Sequence, residues 1–180
     1  YEWDDGTIET LSRVVVRSWI WERPLDPQTR RPLEGWLMPI TAVKEQLWEL
    51  AKLYDVRAVQ YDPAFMTWEA AALLAAGLPM REFPQHSLRL TYASQSTYEL
   101  IINEVLAHDP ADRRLARHIA SAVARQARSG SAAWRLVKGE ARRKMDGAIA
   151  LAMAIWGMEH PDPDDAPKGV SVWAGEDDDE

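Results

Sequence analysis

The spacing of apolar positions along the chain predicts strands and helices in alternation. Residues 1–22 hold β-branched and aromatic residues around an Asp4-Asp5-Gly6 turn, a pattern that favours a β-hairpin. After a Pro-rich loop at 23–35, helical spacing begins at Thr41, and a short strand is predicted at 56–61. The pattern continues with a helix at 63–76, a strand at 80–83, helices at 94–107 and 111–128, a strand at 134–138 and a helix at about 141–158.

This order of elements predicts an α/β fold. Strands that first form a hairpin and then alternate with helices give a mixed β-sheet flanked by helices on both faces. The length of 180 residues suits one domain, which we place at 1–158. Residues 159–180 are rich in proline and end in the acidic run 176–180, so they carry too little apolar surface to fold, and we expect a disordered acidic tail there.

The net charge of −7 at first argues against a protein that binds phosphate backbones. The charge is distributed unevenly, however. Residues 159–180 hold 1 basic and 9 acidic side chains, so the rest of the chain has a net charge of +1. Residues 105–144 hold 10 basic and 3 acidic side chains, which leaves room for a local basic surface that contacts nucleic acid.

The composition excludes several kinds of site. The chain has no cysteine, so it has no disulfide and no thiolate metal site, and any metal ligand must be a carboxylate or an imidazole. No apolar run approaches the roughly 18 to 20 residues of a membrane span, and the first residues do not form the pattern of a signal peptide. We therefore expect a soluble, intracellular protein with no membrane partner.

Asp146 is a candidate site residue because of the helix that it begins. Residues 144–156 are apolar nearly all round after the first turn, a composition typical of a buried helix. A carboxylate at the start of a buried stretch is costly unless it is paired or binds a cation. The alternative is a solvent-facing Asp146 that interacts with the positive end of the helix dipole, or with Arg142 or Arg143.

Asp62 is the second candidate because it ends the predicted strand at 56–61. Ligands and catalytic groups collect at the carboxyl ends of strands in open α/β sheets. The alternative is that Asp62 caps the following helix, whose first residue is Pro63. Together, a strand-end Asp62 and a helix-start Asp146 suit a site for Mg²⁺ or Mn²⁺, whose oxygen ligands can come from different elements.

Several segments, taken in their order and spacing, resemble one known family. They are 54–63, Gly77 with Phe83-Pro84-Gln85, 100–108, 117–120, 136–138 and 144–154. These segments are similar to the nuclease domain of the phage terminase large subunit, which has a ribonuclease H-like fold. The resemblance implies a metal-dependent endonuclease. Such an enzyme would cleave concatemeric double-stranded DNA during genome packaging in the host cytoplasm.

The resemblance also implies roles for particular residues. Asp62 and Asp146 match the second and the last acidic ligand of a site that holds two divalent cations, Mg or Mn. His108 and Lys138 match recurrent family positions near that site. The first ligand of the family lies on a first strand ahead of the hairpin, and this chain begins at the hairpin. We therefore expect the chain to lack its first strand and to cut DNA poorly on its own.

Basic side chains near these positions are candidates for DNA binding. Those that precede Asp146 could neutralise phosphates beside the cut, a role that is independent of sequence and sensitive to salt. The alternative is a solvated basic helix surface. The candidates are Arg142, Arg143, Lys144, Arg113 and Arg117.

The resemblance implies a set of partners and leaves two other classes of function open. The partners are double-stranded DNA, the terminase ATPase domain, the portal and the small terminase subunit. The sequence has no Gly-x-x-x-x-Gly-Lys-Ser/Thr loop, so the ATPase domain is not in this chain. One open alternative is a catalytically incomplete module that binds DNA or the packaging motor. The other is a ribonuclease H-like nuclease of the transposase or resolvase type.

Overall fold

Strands and helices alternate along the part of the chain that the structure describes. The computed structural model describes residues 13–84, 87–126, 133–139 and 144–161. In chain order the elements are β1 (Val14–Val16), α1 (Ile40–Leu53), β2 (Val59–Tyr61), α2 (Pro63–Ala75), β3 (Met80–Glu82), α3 (Ser87–Ile102), β4 (Leu106–His108), α4 (Arg113–Ala120), β5 (Ala122–Gln126), β6 (Trp134–Lys138) and α5 (Asp146–Glu159). The predicted α/β class is confirmed.

The strands of this part of the chain form pairs. β1 runs parallel to β4 with Val14 opposite Leu106, and β2 runs parallel to β3 with Val59 opposite Met80. β5 and β6 run antiparallel. Parallel and antiparallel pairing therefore occur together, as expected for a mixed arrangement. Over the described residues the pairs do not join into one continuous sheet.

The predicted N-terminal hairpin needs a correction. Residues 1–12, which include its first arm, lie outside the described residues. Of the second arm only the short β1 is a strand, and it pairs in parallel with β4, which is distant in sequence. A run of valines fits a parallel pair as well as a hairpin, because β-propensity reflects packing on a pleated surface and not the direction of the partner.

Two predicted helices have different bounds in the structure. The segment predicted as a helix at 94–107 corresponds to α3, which begins earlier, and then to β4. Between them Glu104 has a φ of 56°, in the left-handed region that ends a helix. The segment predicted as a helix at 111–128 corresponds to α4 followed by β5. Alanine and arginine in β5 favour a helix by propensity, but pairing with β6 overrides that weak preference.

Local sequence signals determine the bounds of α2. The Asp62 carboxylate accepts a hydrogen bond of 2.9 Å from the Ala64 N–H and so caps the helix, and Pro63 occupies its first position. Gly77 follows the helix with a φ of 99°, a conformation in which a glycine has no steric penalty. The alternative interpretation of Asp62, as a helix cap, is thus confirmed, and α2 ends close to the predicted residue 76.

α5 lies at the centre of the core. Phe83, just after β3, packs in a buried cluster with Leu90 and Ala93 of α3 and with Trp156 of α5. The rings of Phe83 and Trp156 meet edge to face, with their centroids 6.3 Å apart. A second cluster joins α1, α2 and β3. Among the described helices, none combines the length and the apolar character that crossing a membrane requires.

β2 packs closely against the carboxyl-terminal half of α5. A Cβ atom added at Gly157 would lie 2.8 Å from Nε2 of Gln60, which is closer than real Cβ contacts. The side chain of Gln60 in β2 therefore lies directly against α5 at Gly157 and would have to move if that residue were larger. The strand that ends at Asp62 is in this way held against the helix that begins at Asp146.

We expect Phe83→Ala to lower the free energy of unfolding by about 3–5 kcal/mol, because a fully buried ring would be replaced by a cavity. Phe65→Ala is the matched control, since the Phe65 residue is 82% exposed and its loss should change stability by less than about 0.5 kcal/mol. Urea unfolding followed by circular dichroism measures both. Equal losses in the two variants would contradict the placement of the core.

Candidate active site

Asp146 is the first residue of α5, and it is exposed. The buried residues of the helix begin at Ala148. The expectation of a buried carboxylate at this position is therefore wrong, and the argument from the cost of desolvation does not apply. Asp146 instead lies where the positive end of the helix dipole favours an acidic residue. Its exposure leaves the carboxylate accessible to a ligand.

His118 of α4 lies against the start of α5. It is buried, with 1% of the residue exposed. Its Nδ1 accepts a hydrogen bond of 2.8 Å from the Gly147 N–H, and its Nε2 lies 3.1 Å from Oε1 of Glu22. Because Nδ1 is an acceptor, we assign the ring proton to Nε2, which then donates to Glu22. A continuous hydrogen-bonded chain thus runs from Glu22 through His118 to Gly147.

The Glu22 carboxylate connects two side chains of α4. Its Oε2 lies 2.5 Å from Nη2 of Arg117, while Oε1 meets His118. Burial raises the pKa of the Glu22 carboxyl, but the hydrogen bond from His118, the charge and hydrogen bond of Arg117, and the charge of Lys144 together hold the pKa below its ordinary value. Glu22 is therefore ionised at neutral pH.

A cavity of about 680 Å³ adjoins this network. Arg23, Arg117 and Lys144 line it together with Glu22. Two of the predicted DNA-binding residues, Arg117 and Lys144, thus line the same cavity. Lys144 is two residues before Asp146 in the sequence. Since three cations face one carboxylate, the cavity has the charge that suits an anion such as a phosphate group.

Arg113, a third predicted DNA-binding residue, lies elsewhere. It occupies the first turn of α4, where it lines a separate depression with Ser18 and Trp19. His118 and Arg117 are in the last turn of the same helix. Arg113 is therefore at the end of α4 away from the basic cavity.

Asp62 stands at the carboxyl end of β2. The carbonyl of the preceding Tyr61 accepts a hydrogen bond of 2.8 Å from the Phe83 N–H, which joins the ends of β2 and β3 to the core cluster around Phe83. Ile149, one helical turn after Asp146, packs against the same cluster. The strand end that carries Asp62 and the helix that begins at Asp146 are thus supported by one set of buried side chains.

His108 and Lys138, the two residues predicted near the site, end β4 and β6. Nδ1 of His108 lies 2.9 Å from the carbonyl oxygen of Asp109, just before the start of α4. Lys138 is exposed, and the next residue, Gly139, donates a hydrogen bond to the Ser121 carbonyl. Ser121 lines the basic cavity, so the end of β6 that carries Lys138 is bonded to one of the lining residues, although Lys138 is not itself one of them.

The described residues do not by themselves complete a metal site. Within 13–84, 87–126, 133–139 and 144–161, no three His, Asp or Glu side chains converge in a way that could hold an ion. Asp62 and Asp146 have the carboxylate oxygens that Mg²⁺ and Mn²⁺ prefer. The predicted pair fits these cations in chemistry but not in number of ligands. A further ligand would come from outside the described residues.

Some predicted residues fall outside the part of the chain that the structure describes. They are Arg142 and Arg143 and the acidic tail from residue 162 onward. Their assigned roles stay predictions.

Three residues of this network were not predicted as site residues from the sequence, namely Glu22, His118 and Gly147. A glycine in the first turn of a helix costs about 0.5–1 kcal/mol relative to alanine, so Gly147 was an available signal for the close approach of another group. A Cβ atom at this position would lie 3.0 Å from Nδ1 of His118. Glu22 has no such signal, because it lies 95 and 96 positions before its two partners.

Comparison with known proteins gives a family and a fold. The sequence matches the family described as terminase large subunit, endonuclease domain, over residues 34–161. Among solved structures it is similar to the large terminase of bacteriophage HK97, with 22% identity and a TM-score of 0.55. That match covers 65% of this chain and 24% of the HK97 chain, so this chain spans about a quarter of the length of the HK97 protein. No curated protein sequence matches the chain.

We expect Glu22→Gln to lower the free energy of unfolding at neutral pH by about 1–3 kcal/mol, the range for hydrogen bonds to a charged group. Since the pKa of Glu22 is lowered in the folded protein, its stabilisation is present above the ordinary value of 4.5 and is lost as the pH falls through the lowered value. Urea unfolding of both proteins at several pH values measures the difference in stability, which should shrink on acidification below 4.5.

Glu34→Gln is the control for this experiment, because Glu34 is exposed. It should leave stability within about 0.5 kcal/mol of the unchanged protein at each pH. A Glu22→Gln deficit that stays constant down to a pH of about 3 would contradict the ionised network.

Proposed function

Because this chain belongs to the family of terminase large subunit endonuclease domains, we propose that it cleaves double-stranded viral DNA during genome packaging. The family match over residues 34–161 carries this proposal, since it contains Asp62, Asp146 and the cavity residues Arg117 and Lys144. Membership in the family supports a packaging nuclease. We propose further that its substrate is the concatemer, from which it releases single genomes.

Asp62 and Asp146 are the proposed ligands of two divalent cations, Mg or Mn. Such a pair of ions supplies an activated water and stabilises the leaving oxygen when a phosphodiester is hydrolysed. The contacts of β2 and α5 with the Phe83 cluster support a common role for Asp62 and Asp146. At least one further carboxylate is proposed to complete the site.

The basic cavity is the proposed contact for DNA phosphates beside the cut. Lys144 and Arg117 line the cavity, and the end of β6 that carries Lys138 is bonded to it through Ser121. Because Lys144 is two residues before Asp146, phosphates bound there would contact the segment that leads into α5. Contacts of this kind fix the position of the duplex and do not read its sequence. Arg142 and Arg143, which directly precede Lys144, are proposed to extend the same basic surface.

The remaining functions of the packaging machine are proposed to lie in other parts and partners. The likeness to the HK97 large terminase covers 24% of that chain. We propose that this chain acts with a terminase ATPase domain, the portal and the small terminase subunit in the host cytoplasm. The proposed fold is a ribonuclease H-like mixed sheet flanked by helices.

We expect Asp62→Asn and Asp146→Asn each to lower the rate of plasmid cleavage at least about 100-fold, because each removes a charged metal ligand. Asparagine caps helices about as well as aspartate, so Asp62→Asn keeps the α2 cap and separates cleavage from folding. The measurement is the rate of plasmid cleavage by the protein in its full natural length with Mg²⁺ or Mn²⁺.

Asp55→Asn is the matched control. Asp55 forms an exposed ion pair with Arg57 shortly before β2, so its loss should leave cleavage unchanged. Full activity in both the Asp62 and the Asp146 variant would rule out the proposed site.

We expect Lys144→Gln to weaken DNA binding and to make the dependence of the binding constant on salt less steep by about 0.9 in the log–log slope, as for the loss of one phosphate contact. Fluorescence anisotropy with duplexes of unrelated sequence measures the slope, and the loss should be the same for each duplex. Lys52→Gln, at an exposed ion pair on α1, is the control. An unchanged slope for Lys144→Gln would remove Lys144 from the DNA contact.

A further inference from the structure

α5 begins without a cap from its own segment. Met145 occupies the capping position, and its side chain makes no capping hydrogen bond. The N–H groups of the first turn of a helix have no partner within the helix and need one elsewhere. The usual partner is the side chain of a Ser, Thr, Asp or Asn at the capping position, which accepts from the second or third helical residue.

His118 takes over this role from another helix. Gly147 is the second residue of α5, and its N–H donates to Nδ1 of His118 at 2.8 Å. The imidazole cannot rotate away without losing its second hydrogen bond, from Nε2 to Glu22 at 3.1 Å. Glu22 in turn is held by Arg117. The first turn of α5 is therefore attached to α4 and to the loop after β1 by one chain of hydrogen bonds.

The contact needs a glycine at position 147. A Cβ atom there would lie 3.0 Å from Nδ1 of His118 and 3.1 Å from Cδ1 of Ile20. Either neighbour would have to move if the residue were larger. The close approach thus fixes the position of the first turn both along and around the helix axis. Asp146 is the first residue of that turn.

We propose that His118, held by Glu22, is a positioning residue that sets the Asp146 carboxylate for DNA cleavage. This inference rests on the proposed function, in which Asp146 is a metal ligand. Groups that orient a ligand of a metal site typically change metal affinity or activity about 10- to 100-fold when they are altered. A displacement of a reacting group by about 1 Å can have a similar effect.

Two substitutions of His118 separate positioning from packing. In His118→Asn the amide oxygen can occupy the place of Nδ1 and accept from Gly147, although the side chain no longer reaches Glu22. In His118→Gln the amide reaches towards Glu22 but does not reproduce the acceptor at the place of Nδ1. Both variants remove the imidazole, so both lose similar packing.

The measurements are the kcat and KM for plasmid cleavage, the Mn²⁺ affinity from electron paramagnetic resonance, and the urea midpoint of unfolding. We expect His118→Gln to lower kcat about 10- to 100-fold and to weaken Mn²⁺ binding in the same range, with KM for DNA nearly unchanged. His118→Asn should recover most of both losses, to within about 5-fold of the unchanged protein, at a similar urea midpoint.

His160→Asn is the matched control, because His160 caps the other end of α5 and stacks on Trp156. It should leave kcat and Mn²⁺ affinity unchanged. If His118→Gln does not fold, Glu22→Ala takes its place, because it removes the acceptor of the His118 Nε2–H, and it should lower kcat at least about 5-fold.

The outcomes distinguish this inference from the proposed function. If Asp146→Asn stops cleavage but folded His118→Gln, or Glu22→Ala in its place, keeps full kcat and Mn²⁺ affinity, the positioning role is wrong and the nuclease site stands. Equal losses in His118→Asn and His118→Gln that follow the urea midpoint would also overturn the positioning role. If Asp146→Asn cleaves normally, the proposed function itself fails.

Discussion

The burial of α5 is the constraint on which the rest of the described structure depends. Ala152 of this helix is fully buried, and α3 covers it through the cluster around Phe83. β2 approaches at Gly157, and α4 reaches the start of the helix at Gly147. The N–H groups of its first turn have no partner within the helix and need one elsewhere. For the Gly147 N–H this partner is His118, since the side chain of Met145 at the capping position makes no capping hydrogen bond.

The same arrangement places the candidate site at the edge of the core. Asp146 is exposed although it directly precedes the Gly147 contact with the buried His118. A carboxylate that binds a cation needs access to solvent. The start of α5 is held by contacts on its buried side, so Asp146 can have this access and a fixed position at the same time. Asp62, at the end of β2, is half-buried, and its carboxylate caps α2. Each predicted site carboxylate is thus held by the secondary structure on which it stands.

The sequence predicted those parts of the molecule whose causes are local. Asp62, Pro63 and Gly77 lie next to the helix ends that they determine, and α2 was predicted almost to the residue. The segment of β5 was predicted as a helix, because its strand state depends on pairing with β6 and not on its own composition. The settings of Asp62 and Asp146 drew attention to both residues, and the exposure of Asp146 agrees with the solvent-facing alternative that the sequence left open. The Glu22–His118 contact could not be predicted at all, because it joins residues 96 positions apart.

The basic cavity and the start of α5 are coupled through a single carboxylate. The net charge of −7 describes the whole chain, whereas this cavity is lined by Arg23, Arg117 and Lys144 around Glu22. Arg117 lies 2.5 Å from Glu22, so part of its charge is already compensated, while Lys144 acts on Glu22 through its charge alone. A phosphate in the cavity would therefore meet less competition at Lys144 than at Arg117. The basic cavity and the start of α5 therefore share one carboxylate, because Glu22 lines the cavity and also accepts from the His118 ring that holds the Gly147 N–H.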